Sequence, residues 1–291
     1  MNLLQPAIRK TTLFLELIKF SHTVFALPFA FMGAILAARG IPTPPTVFWI
    51  VVAMVGARSG AMAINRLADQ EFDARNPRTQ ERALPKGLVK RGEVIVFMLG
   101  SFALFLFAAS RLNPLCLKLA PLAMAVLILY SYTKRFTFLS HLMLGLALAI
   151  APLGAWIAVT GEMAAVPVVL GLAVLFWVAG FDILYAMADI DFDRVAGLYS
   201  IPARFGVPAG MAISRSLHAA TLMLLFLLMF LSDLRSFYLA GVLLATGLLV
   251  YEHVLLHRYG LKRLDAAFFT ANGLLSISLF GFTLLDVLLL S

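Results

Sequence analysis

The 291-residue sequence contains little charge and almost no cysteine. Only 13% of its residues are charged and 62% are hydrophobic, whereas a soluble domain usually has roughly 25% charged and about 45–50% apolar residues. A soluble core of this size could not bury so much apolar surface, so a membrane protein is expected. The single cysteine, Cys116, excludes an internal disulfide and a cysteine-based metal site.

Other common signals are also missing. No long polar segment interrupts the chain, so we expect a single transmembrane domain over residues 1–291 and no separate soluble domain. There is no GxxxxGK pattern followed by Ser or Thr, which excludes a nucleotide-binding P-loop. The first ten residues, MNLLQPAIRK, have no cleavable apolar core before their basic residues, so no signal peptide is expected.

Long apolar runs make up most of the chain. A membrane-spanning helix needs about 20 mostly apolar residues, and the runs are separated by breakers such as Asn113-Pro114. The pattern predicts an all-α integral membrane protein with about nine transmembrane helices around a central cavity. The predicted spans cover residues 20–38, 46–64, 93–110, 113–131, 140–159, 164–184, 211–231, 236–256 and 267–289.

Basic residues are distributed unevenly among the connections between these spans. With the N-terminus in the cytoplasm, the cytoplasmic connections carry most of the Lys and Arg, as the positive-inside rule requires. The net charge of +8 is therefore ascribed to topology, and no nucleic-acid partner is expected. The predicted cytoplasmic residues are Arg9, Lys10, Lys19, Arg66, Arg75, Arg78, Arg82, Lys86, Lys90, Arg91, Lys134, Arg135, Arg194, Arg204, Arg258, Lys262 and Arg263, against Arg39, Arg111, Lys118 and Arg235 on the other side.

One charged run lies between two apolar segments: NRLADQEFDARNPRTQERALPKG, residues 65–87. Asn65, Asp69 and Asp73 are spaced four apart, which places their side chains on one face of a helix. Acids at positions i and i+4 repel each other, so the spacing destabilises a helix unless a cation offsets the repulsion. The run therefore predicts a cation-binding stripe at a helix end on the cytoplasmic side.

A second acidic run, DILYAMADIDFDR, covers residues 182–194. Asp189 and Asp193 are again four apart, with Asp191 between them, and this run also falls on the predicted cytoplasmic side. Asp182 lies two helical turns before Asp189 and inside a predicted span, where an acid costs about 2.5–3.5 kcal/mol on insertion scales. An acid retained at that cost is a candidate for function.

The two acidic runs and their basic neighbours suit one kind of ligand. Mg²⁺ prefers oxygen donors and commonly takes one or two carboxylates together with water and substrate phosphate. Arg78, Arg82 and Lys86 follow the first run, and Lys134-Arg135 open the connection between the fourth and fifth spans. Arg and Lys beside such carboxylates are suited to a diphosphate. Either run alone would be typical of a solvated loop, but the pair favours a Mg²⁺-diphosphate site.

These motifs resemble those of the UbiA superfamily of membrane prenyltransferases. The family motif NxxxDxxxD matches residues 65–73, and YAMxDxxxD matches residues 185–193. The loop ARNPRTQERALPKG, the element YSYTKRFT and the sequence IPARFG also resemble family elements. The final third of the chain matches mainly in hydrophobic layout. Within the superfamily, the sequence is most similar to bacterial 4-hydroxybenzoate polyprenyltransferases.

The resemblance implies Mg²⁺-dependent transfer of a polyprenyl group from polyprenyl diphosphate to the ring of 4-hydroxybenzoate, ortho to the hydroxyl, in quinone biosynthesis. It also implies a multi-pass protein of the bacterial cytoplasmic membrane, in contact with lipid, with its active site facing the cytoplasm and no protein partner. The expected metal ligands are Asn65, Asp69, Asp73, Asp189 and Asp193, and these acids together with Asp182 form the expected catalytic set. Diphosphate would bind Arg78, Arg82, Lys134 and Arg135, and the aromatic acid would bind Arg58, Tyr185 and Asp182, the last orienting the acceptor or taking its proton.

Other functions stay open at this level. The same chemistry on 1,4-dihydroxy-6-naphthoate would serve menaquinone synthesis. The haem O synthase branch usually has Cys where Arg66 stands, which argues against a haem acceptor. A transporter would place its charges near the membrane midplane, with broken helices and inverted repeats. A non-catalytic scaffold that senses Mg²⁺ or anionic lipid would not need acids and bases interleaved at helical spacing.

A few further residues receive structural interpretations. His141 is expected to cap a loop at the start of the fifth span. His253 and His257 are four apart, but no Asp or Cys partner follows, so they are interpreted as interface residues. Gly56 and Gly60 form a GxxxG pattern, which predicts close helix packing.

Overall fold

The computed structural model describes residues 4–17, 23–260 and 270–290. Within these ranges the chain is helical and contains no β-strand. A 3₁₀ turn, Met187–Asp189, joins the two helices on either side of it. The helices in chain order are α1 (Leu4–Leu17), α2 (Thr23–Ala38), α3 (Pro44–Arg75), α4 (Arg91–Leu112), α5 (Pro114–Thr133), α6 (Ser140–Thr160), α7 (Ala165–Ala186), α8 (Ile190–Ala196), α9 (Ile201–Leu231), α10 (Ser236–Tyr259) and α11 (Asn272–Leu289).

Eight helical segments in the described part of the chain are long and apolar enough to cross a membrane, α7 and α8 counting together as one. They coincide with eight of the nine predicted spans and confirm a multi-pass membrane protein. The remaining span, predicted at 20–38, coincides with α2, whose apolar part Ala26–Ala38 is shorter than the others. The first three residues of the first and last predicted spans, 20–22 and 267–269, lie outside the described residues. Lys19, Lys262 and Arg263 also lie outside them.

Helix α7 lies at the centre of the bundle, packed against α6 and α9. Its sequence is apolar on all sides, which is typical of a helix that is buried all round. Trp177 is almost wholly buried and contacts the rings of Phe29 on α2 and Phe181 on α7. The C-terminal end of α7, which carries Asp182, is therefore held by packing on several sides.

The GxxxG prediction is confirmed as helix packing. A Cβ atom added at Gly56 would lie 2.7 Å from the backbone nitrogen of Phe105 and 2.8 Å from the carbonyl oxygen of Ser101. Real Cβ atoms do not approach backbone atoms so closely, so only glycine lets α3 lie this close to α4. This contact supports the helix that carries the first acidic motif.

Buried polar side chains link the later helices to α7. The indole of Trp177 donates to Asn272 Oδ1 at 2.7 Å, and Asn272 Nδ2 donates to Glu252 Oε1 at 3.0 Å. Asp286 on α11 accepts from the backbone nitrogens of Arg235 and Tyr238 at 2.9 and 2.8 Å. These bonds satisfy polar groups that lipid and apolar side chains could not, so they set the arrangement of α7, α10 and α11.

The two acidic motifs lie on different local structures. Helix α3 continues beyond the predicted span 46–64 as far as Arg75, so the first motif lies on one unbroken helix, as expected. The second motif lies on an interrupted helical segment, because α7 ends at Ala186, a 3₁₀ turn contains Asp189, and Asp193 lies on α8. The next helix begins at Ile201 and is itself broken at Gly206, whose φ of 82° is rarely adopted by residues with a side chain.

Candidate active site

A cavity of about 330 Å³ lies among α3, α5, α6, α7 and α8. It brings together both acidic motifs and two of their predicted basic partners, Arg82 and Lys134, although they are distant in sequence. Two of the predicted site residues, Arg78 and Arg135, lie beside this lining. The predicted site residues that line the cavity are Arg58, Asn65, Asp69, Asp73, Arg82, Lys134, Asp182, Tyr185, Asp189 and Asp193.

Asp69 lies near the middle of the first motif and is 4% exposed. Its Oδ2 accepts from Lys134 Nζ at 2.6 Å and from Asn65 Nδ2 at 3.3 Å. Its Oδ1 is buried and accepts no hydrogen bond from the described residues. A buried carboxylate oxygen in that condition is costly unless something binds it, so Oδ1 is a candidate ligand atom.

Asp73 lies one turn further along α3 and is held by two arginines. Arg82 Nη1 donates to both carboxylate oxygens at 2.7 and 2.8 Å, and Arg66 Nη1 lies 3.8 Å from Oδ2. The hydroxyl of Thr79 donates to the backbone oxygen of Asp73 at 3.0 Å. The loop after α3 is therefore folded back over the end of its own helix.

The second motif is connected to that loop by two direct contacts. Arg78 Nη1 donates to Asp189 Oδ2 at 2.6 Å, and Asn76 Nδ2 donates to Asp189 Oδ1 at 3.2 Å. The Arg78 guanidinium also lies 4.9 Å from the ring centre of Tyr185, a cation–π distance. Asn76, which follows α3, and Arg78, in the loop after it, therefore connect the two motifs.

Asp193 completes the second motif. Its Oδ2 accepts from the hydroxyl of Ser200 at 3.0 Å. Ser200 also caps α9, since its hydroxyl oxygen accepts from the backbone nitrogen of Ala203 at 3.2 Å. The position of Asp193 therefore depends on the N-terminus of α9 as well as on α8.

Arg135 differs from the other predicted cations. Its guanidinium donates to the backbone oxygen of Ala68 and lies 5.3 Å from the ring of Phe72 and 5.1 Å from that of Tyr132. These contacts hold it against α3 outside the cavity lining. Its predicted diphosphate-binding role stays a prediction.

His141 was expected to be a loop cap, and this was wrong. It lies in the first turn of α6, is 3% exposed, and lines the cavity. Its Nδ1 lies 2.7 Å from Asp182 Oδ2, and its Nε2 accepts from the backbone nitrogen of Ile201 at 3.2 Å. The lining of the cavity therefore includes a histidine–carboxylate pair.

The lining of the cavity also includes Arg58, a phenol and several apolar side chains. Arg58 lines it, and its Nε is buried without a hydrogen-bond partner. Tyr130 adds a phenol to the lining. The cavity's apolar lining includes Met62, Leu144, Leu148, Val178 and Phe181.

Sequence reasoning missed several lining residues. Arg66 was counted only as a topology marker, although it lies seven residues before Asp73 and hence two turns away on the same helix. Asn76 follows the last helical residue of α3, a common place for a capping side chain. Ser200 and His141 carried no signal, because their partners lie in other helices.

The His253–His257 pair lies in a different place. His253 Nε2 is 3.0 Å from Nδ1 of His218, between α9 and α10. Both lie against a separate cavity of about 560 Å³, which His257, Arg215 and Arg258 also line. No acid is among its described lining residues. His253 thus contacts a histidine of a neighbouring helix, and the interpretation of the pair as interface residues stays a prediction.

The metal-ligating types of side chain are spread apart in the described part of the chain. Among residues 4–17, 23–260 and 270–290, no three His, Cys, Asp or Glu side chains gather closely enough to form a metal-binding group. The carboxylates are instead paired with cations: Asp69 with Lys134, Asp73 with Arg82, and Asp189 with Arg78 in the adjoining loop. The site therefore has balanced charge spread across two facing motifs.

The fold and the site together define an integral membrane protein whose polar cavity is lined by paired acidic motifs and basic side chains. The sequence profile of the UbiA prenyltransferase family matches residues 26–274. The chain belongs to the UbiA prenyltransferase family, and it is therefore a membrane prenyltransferase.

Individual relatives agree with this assignment. The chain is 35% identical to a 4-hydroxybenzoate octaprenyltransferase from Aeromonas hydrophila, over 81% of this chain and 82% of that protein. It is 32% identical to the enzyme of that name from Vibrio atlanticus, over 77% and 79%.

Solved structures share the fold. A UbiA homolog from Aeropyrum pernix K1 matches with a TM-score of 0.84 and 32% identity, covering 91% of this chain and 98% of that one. A UbiA homolog from Archaeoglobus fulgidus, solved with DMAPP and Mg²⁺, matches with a TM-score of 0.72 at 18% identity, covering 95% and 99%. The all-helical membrane fold predicted from the sequence is thus confirmed.

Proposed function

We propose that this protein transfers a polyprenyl group from polyprenyl diphosphate to the ring carbon of 4-hydroxybenzoate ortho to its hydroxyl. The observation that carries the proposal is the meeting of both acidic motifs at one cavity, where Arg78 of the first loop bonds Asp189 of the second motif. The names of the Aeromonas and Vibrio relatives support the choice of acceptor.

The residues of the two motifs suit a divalent cation that binds together with diphosphate. Their donors are carboxylate and amide oxygens, and Mg²⁺ typically uses few protein ligands and completes its shell with substrate phosphate and water. The buried Oδ1 of Asp69, which accepts no hydrogen bond from the described residues, is one such donor. Bound there, the cation would supply Lewis-acid stabilisation of the departing diphosphate. The proposed ligands are Asn65, Asp69, Asp73, Asp189 and Asp193.

The basic side chains would bind the diphosphate and stabilise its charge as it leaves. Lys134 and Arg82 line the cavity beside Asp69 and Asp73, and Arg78 lies beside Asp189. All three have flexible stems, so each can bond a phosphate oxygen without moving a helix. Charge-assisted bonds to phosphate are about twice as strong as neutral ones, and they gain further strength away from water.

The acceptor would lie deeper, between Arg58 and Asp182. The guanidinium of Arg58 has a buried, unpartnered nitrogen, which suits the carboxylate of an aromatic acid. His141 bonds Oδ2 of Asp182, and Oδ1 accepts no hydrogen bond from the described residues. It can accept the hydroxyl hydrogen of the acceptor, which raises the electron density of the ring. Tyr185 lines the same cavity and contacts the Arg78 guanidinium with its ring.

The reaction then balances within the cavity. The allylic C–O bond breaks, and its electron pair leaves with the diphosphate. The ring carbon ortho to the hydroxyl forms the new C–C bond, and the proton at that carbon is lost to Asp182 or to the diphosphate. Water must be excluded, since it would quench the allylic cation. Met62, Leu144 and Phe181 provide an apolar wall for this purpose.

The acceptor assay is the direct test. Purified full-length protein in liposomes would be given Mg²⁺, labelled polyprenyl diphosphate, and either 4-hydroxybenzoate or 1,4-dihydroxy-6-naphthoate. Prenylated 4-hydroxybenzoate that disappears with EDTA is the expected result. Product with the naphthoate alone would keep the mechanism and replace the acceptor. Absence of product from both, with protein that is folded and inserted, would contradict the proposed function.

We also propose that the active site faces the cytoplasm, because the loop after α3 carries many of the basic residues. The test is a Lys86→Cys substitution in a Cys116→Ala background, since Cys116 is the single cysteine of the chain. A membrane-impermeant maleimide should label inside-out vesicles and leave right-side-out vesicles unlabelled. The reverse pattern would place the site on the outer face.

A further inference from the structure

His141 makes one hydrogen bond with each of its ring nitrogens, and both partners lie outside its own helix. Nδ1 lies 2.7 Å from Oδ2 of Asp182 on α7, and Nε2 lies 3.2 Å from the backbone nitrogen of Ile201 at the start of α9. The ring is 3% exposed, so water cannot replace these partners. His141 therefore joins three helices at the wall of the cavity.

The Ile201 contact decides which nitrogen carries the proton. A backbone N–H can only donate, so Nε2 must accept and cannot itself bear hydrogen. The proton is then on Nδ1, and Nδ1 donates to Asp182. This arrangement keeps Asp182 as a hydrogen-bond acceptor in a fixed orientation, with Oδ1 left for another donor.

His141 is also connected to the second acidic motif, through the backbone of Ile201. Ile201 follows Ser200, whose hydroxyl donates to Asp193 Oδ2 at 3.0 Å. A continuous series of contacts therefore leads from the proposed acceptor site to the second acidic motif. It runs through Asp182, His141, Ile201, Ser200 and Asp193. A shift of the imidazole would therefore change the positions of both Asp182 and Asp193.

We propose that His141 is a positioning residue that aims Asp182 at the hydroxyl of the aromatic acceptor, while its Nε2 holds the α9 N-terminus beside Asp193. The proposal rests on the proposed function for the identity of the acceptor. It assigns the two ring nitrogens different tasks: Nδ1 serves acceptor binding, and Nε2 serves the second motif.

Two amide substitutions separate these tasks. In His141→Asn the side-chain nitrogen occupies the place of Nδ1 and can still donate to Asp182, but nothing reaches Ile201. In His141→Gln the amide oxygen reaches the place of Nε2 and can still accept from Ile201, but the bond to Asp182 is lost. The two variants have similar chemistry and differ in which bond survives.

We expect opposite kinetic effects from the two variants. His141→Gln should raise the KM for the acceptor roughly 10-fold and change the KM for polyprenyl diphosphate little, as loss of an orienting hydrogen bond usually does. His141→Asn should keep the acceptor KM within about 2-fold and raise the Mg²⁺ concentration for half-maximal activity. Equal losses in both variants, without this split, would reduce His141 to a packing role and overturn the proposal.

His253→Gln is the matched control. His253 also pairs with a partner in another helix, His218 at 3.0 Å, but it lies at the other cavity. Its substitution should leave both KM values unchanged. An equal rise of the acceptor KM in His253→Gln would attribute the effect to general loosening and count against the proposal.

The test of the role of His141 can be distinguished from the test of the proposed function. All variants would be assayed with 4-hydroxybenzoate and with the dihydroxynaphthoate, and wild-type turnover would decide the function first. The ¹⁵N spectrum of the histidine-labelled full chain, with the His141 signal identified by its loss in His141→Gln, tests the geometry without any substrate. A proton on Nδ1 is expected, and a proton on Nε2 would overturn the proposal even if turnover is found.

Discussion

The two acidic motifs share a four-residue spacing but differ in helix continuity and exposure. Asp69 and Asp73 of the first motif are 4% and 6% exposed and lie on the unbroken helix α3. Asp189 of the second motif has a side chain that is 25% exposed and lies at the junction of a 3₁₀ turn with a short helix. An identical spacing in the sequence has thus produced one buried motif on a continuous helix and one partly exposed motif at a helix junction.

The cause of the difference is the support that each motif receives. Helix α3 packs along α4 and α5, whereas α8 has only seven residues and ends at Gly197 in a left-handed conformation. A short helix between a turn and a glycine has few side-chain contacts to hold it. We therefore interpret the first motif as the fixed part of the site and the second as the part that adjusts when ligand binds.

The largest effect is expected from Asp69→Asn. It removes a buried carboxylate from the rigid motif and leaves Lys134 without its partner, so turnover should fall about 100–1,000-fold, as loss of a preorganised charged group commonly does. Glu71→Gln is the matched control, because it removes an exposed acid from the same helix turn. Activity of purified protein that elutes as a single species measures both, and near-wild-type turnover in Asp69→Asn would contradict the site.

A smaller effect is expected from Asp189→Asn in the second motif. Arg78 and Asn76 stay beside it and partial exposure lets water replace one oxygen, so turnover should fall about 10–100-fold. Asp191→Asn, two residues along and exposed, should stay within about 2-fold of wild type. If Asp189→Asn proved more damaging than Asp69→Asn, the proposed division into a rigid and an adjustable motif would be wrong.

Lys134→Gln tests the cation of the rigid motif. Its ammonium lies 2.6 Å from Asp69, and its loss should raise the KM for polyprenyl diphosphate about 10-fold with less change for the acceptor. Lys118→Gln provides the comparison, since Lys118 is exposed near the other end of the same helix. Kinetics against each substrate separate the two, and a rise in the acceptor KM alone would assign Lys134 to the wrong substrate.

Arg58→Gln should have a moderate effect that depends on the acceptor. Turnover at low 4-hydroxybenzoate should fall several-fold, because the variant lacks the proposed partner for the carboxylate. A phenol without a carboxylate should be used equally well by wild type and variant. Equal loss with both acceptors would instead connect Arg58 to the diphosphate or to packing.

The smallest effect on turnover is expected from Gly56→Ala, which perturbs the support of the first motif and leaves its chemistry unchanged. The added Cβ would meet backbone atoms of α4, so we expect the free energy of unfolding to fall by about 1–3 kcal/mol. Gly100→Ala on α4 has open space around it and serves as the comparison. Thermal unfolding in detergent measures both, and equal stability would show that α3 can move away from α4 without loss.

Local patterns in the sequence were sufficient for much of the fold. The length of the apolar runs predicts membrane helices, because lipid requires every backbone bond to be satisfied within a helix. The four-residue spacing of Asn65, Asp69 and Asp73 predicts one helix face, and α3 has that face. The same spacing at Asp189 and Asp193 did not reveal the 3₁₀ turn that contains Asp189, although both residues line one cavity.

Residue chemistry alone therefore determined that this protein lies in a membrane, that its acids form two motifs, and that basic residues accompany them. Only the tertiary structure decided which partners meet. Asn76 bonds Asp189 across 113 residues of sequence, and His141 bonds Asp182 across 41. Such pairs depend on how helices pack, which many side chains set together, so no short stretch of sequence contains the information.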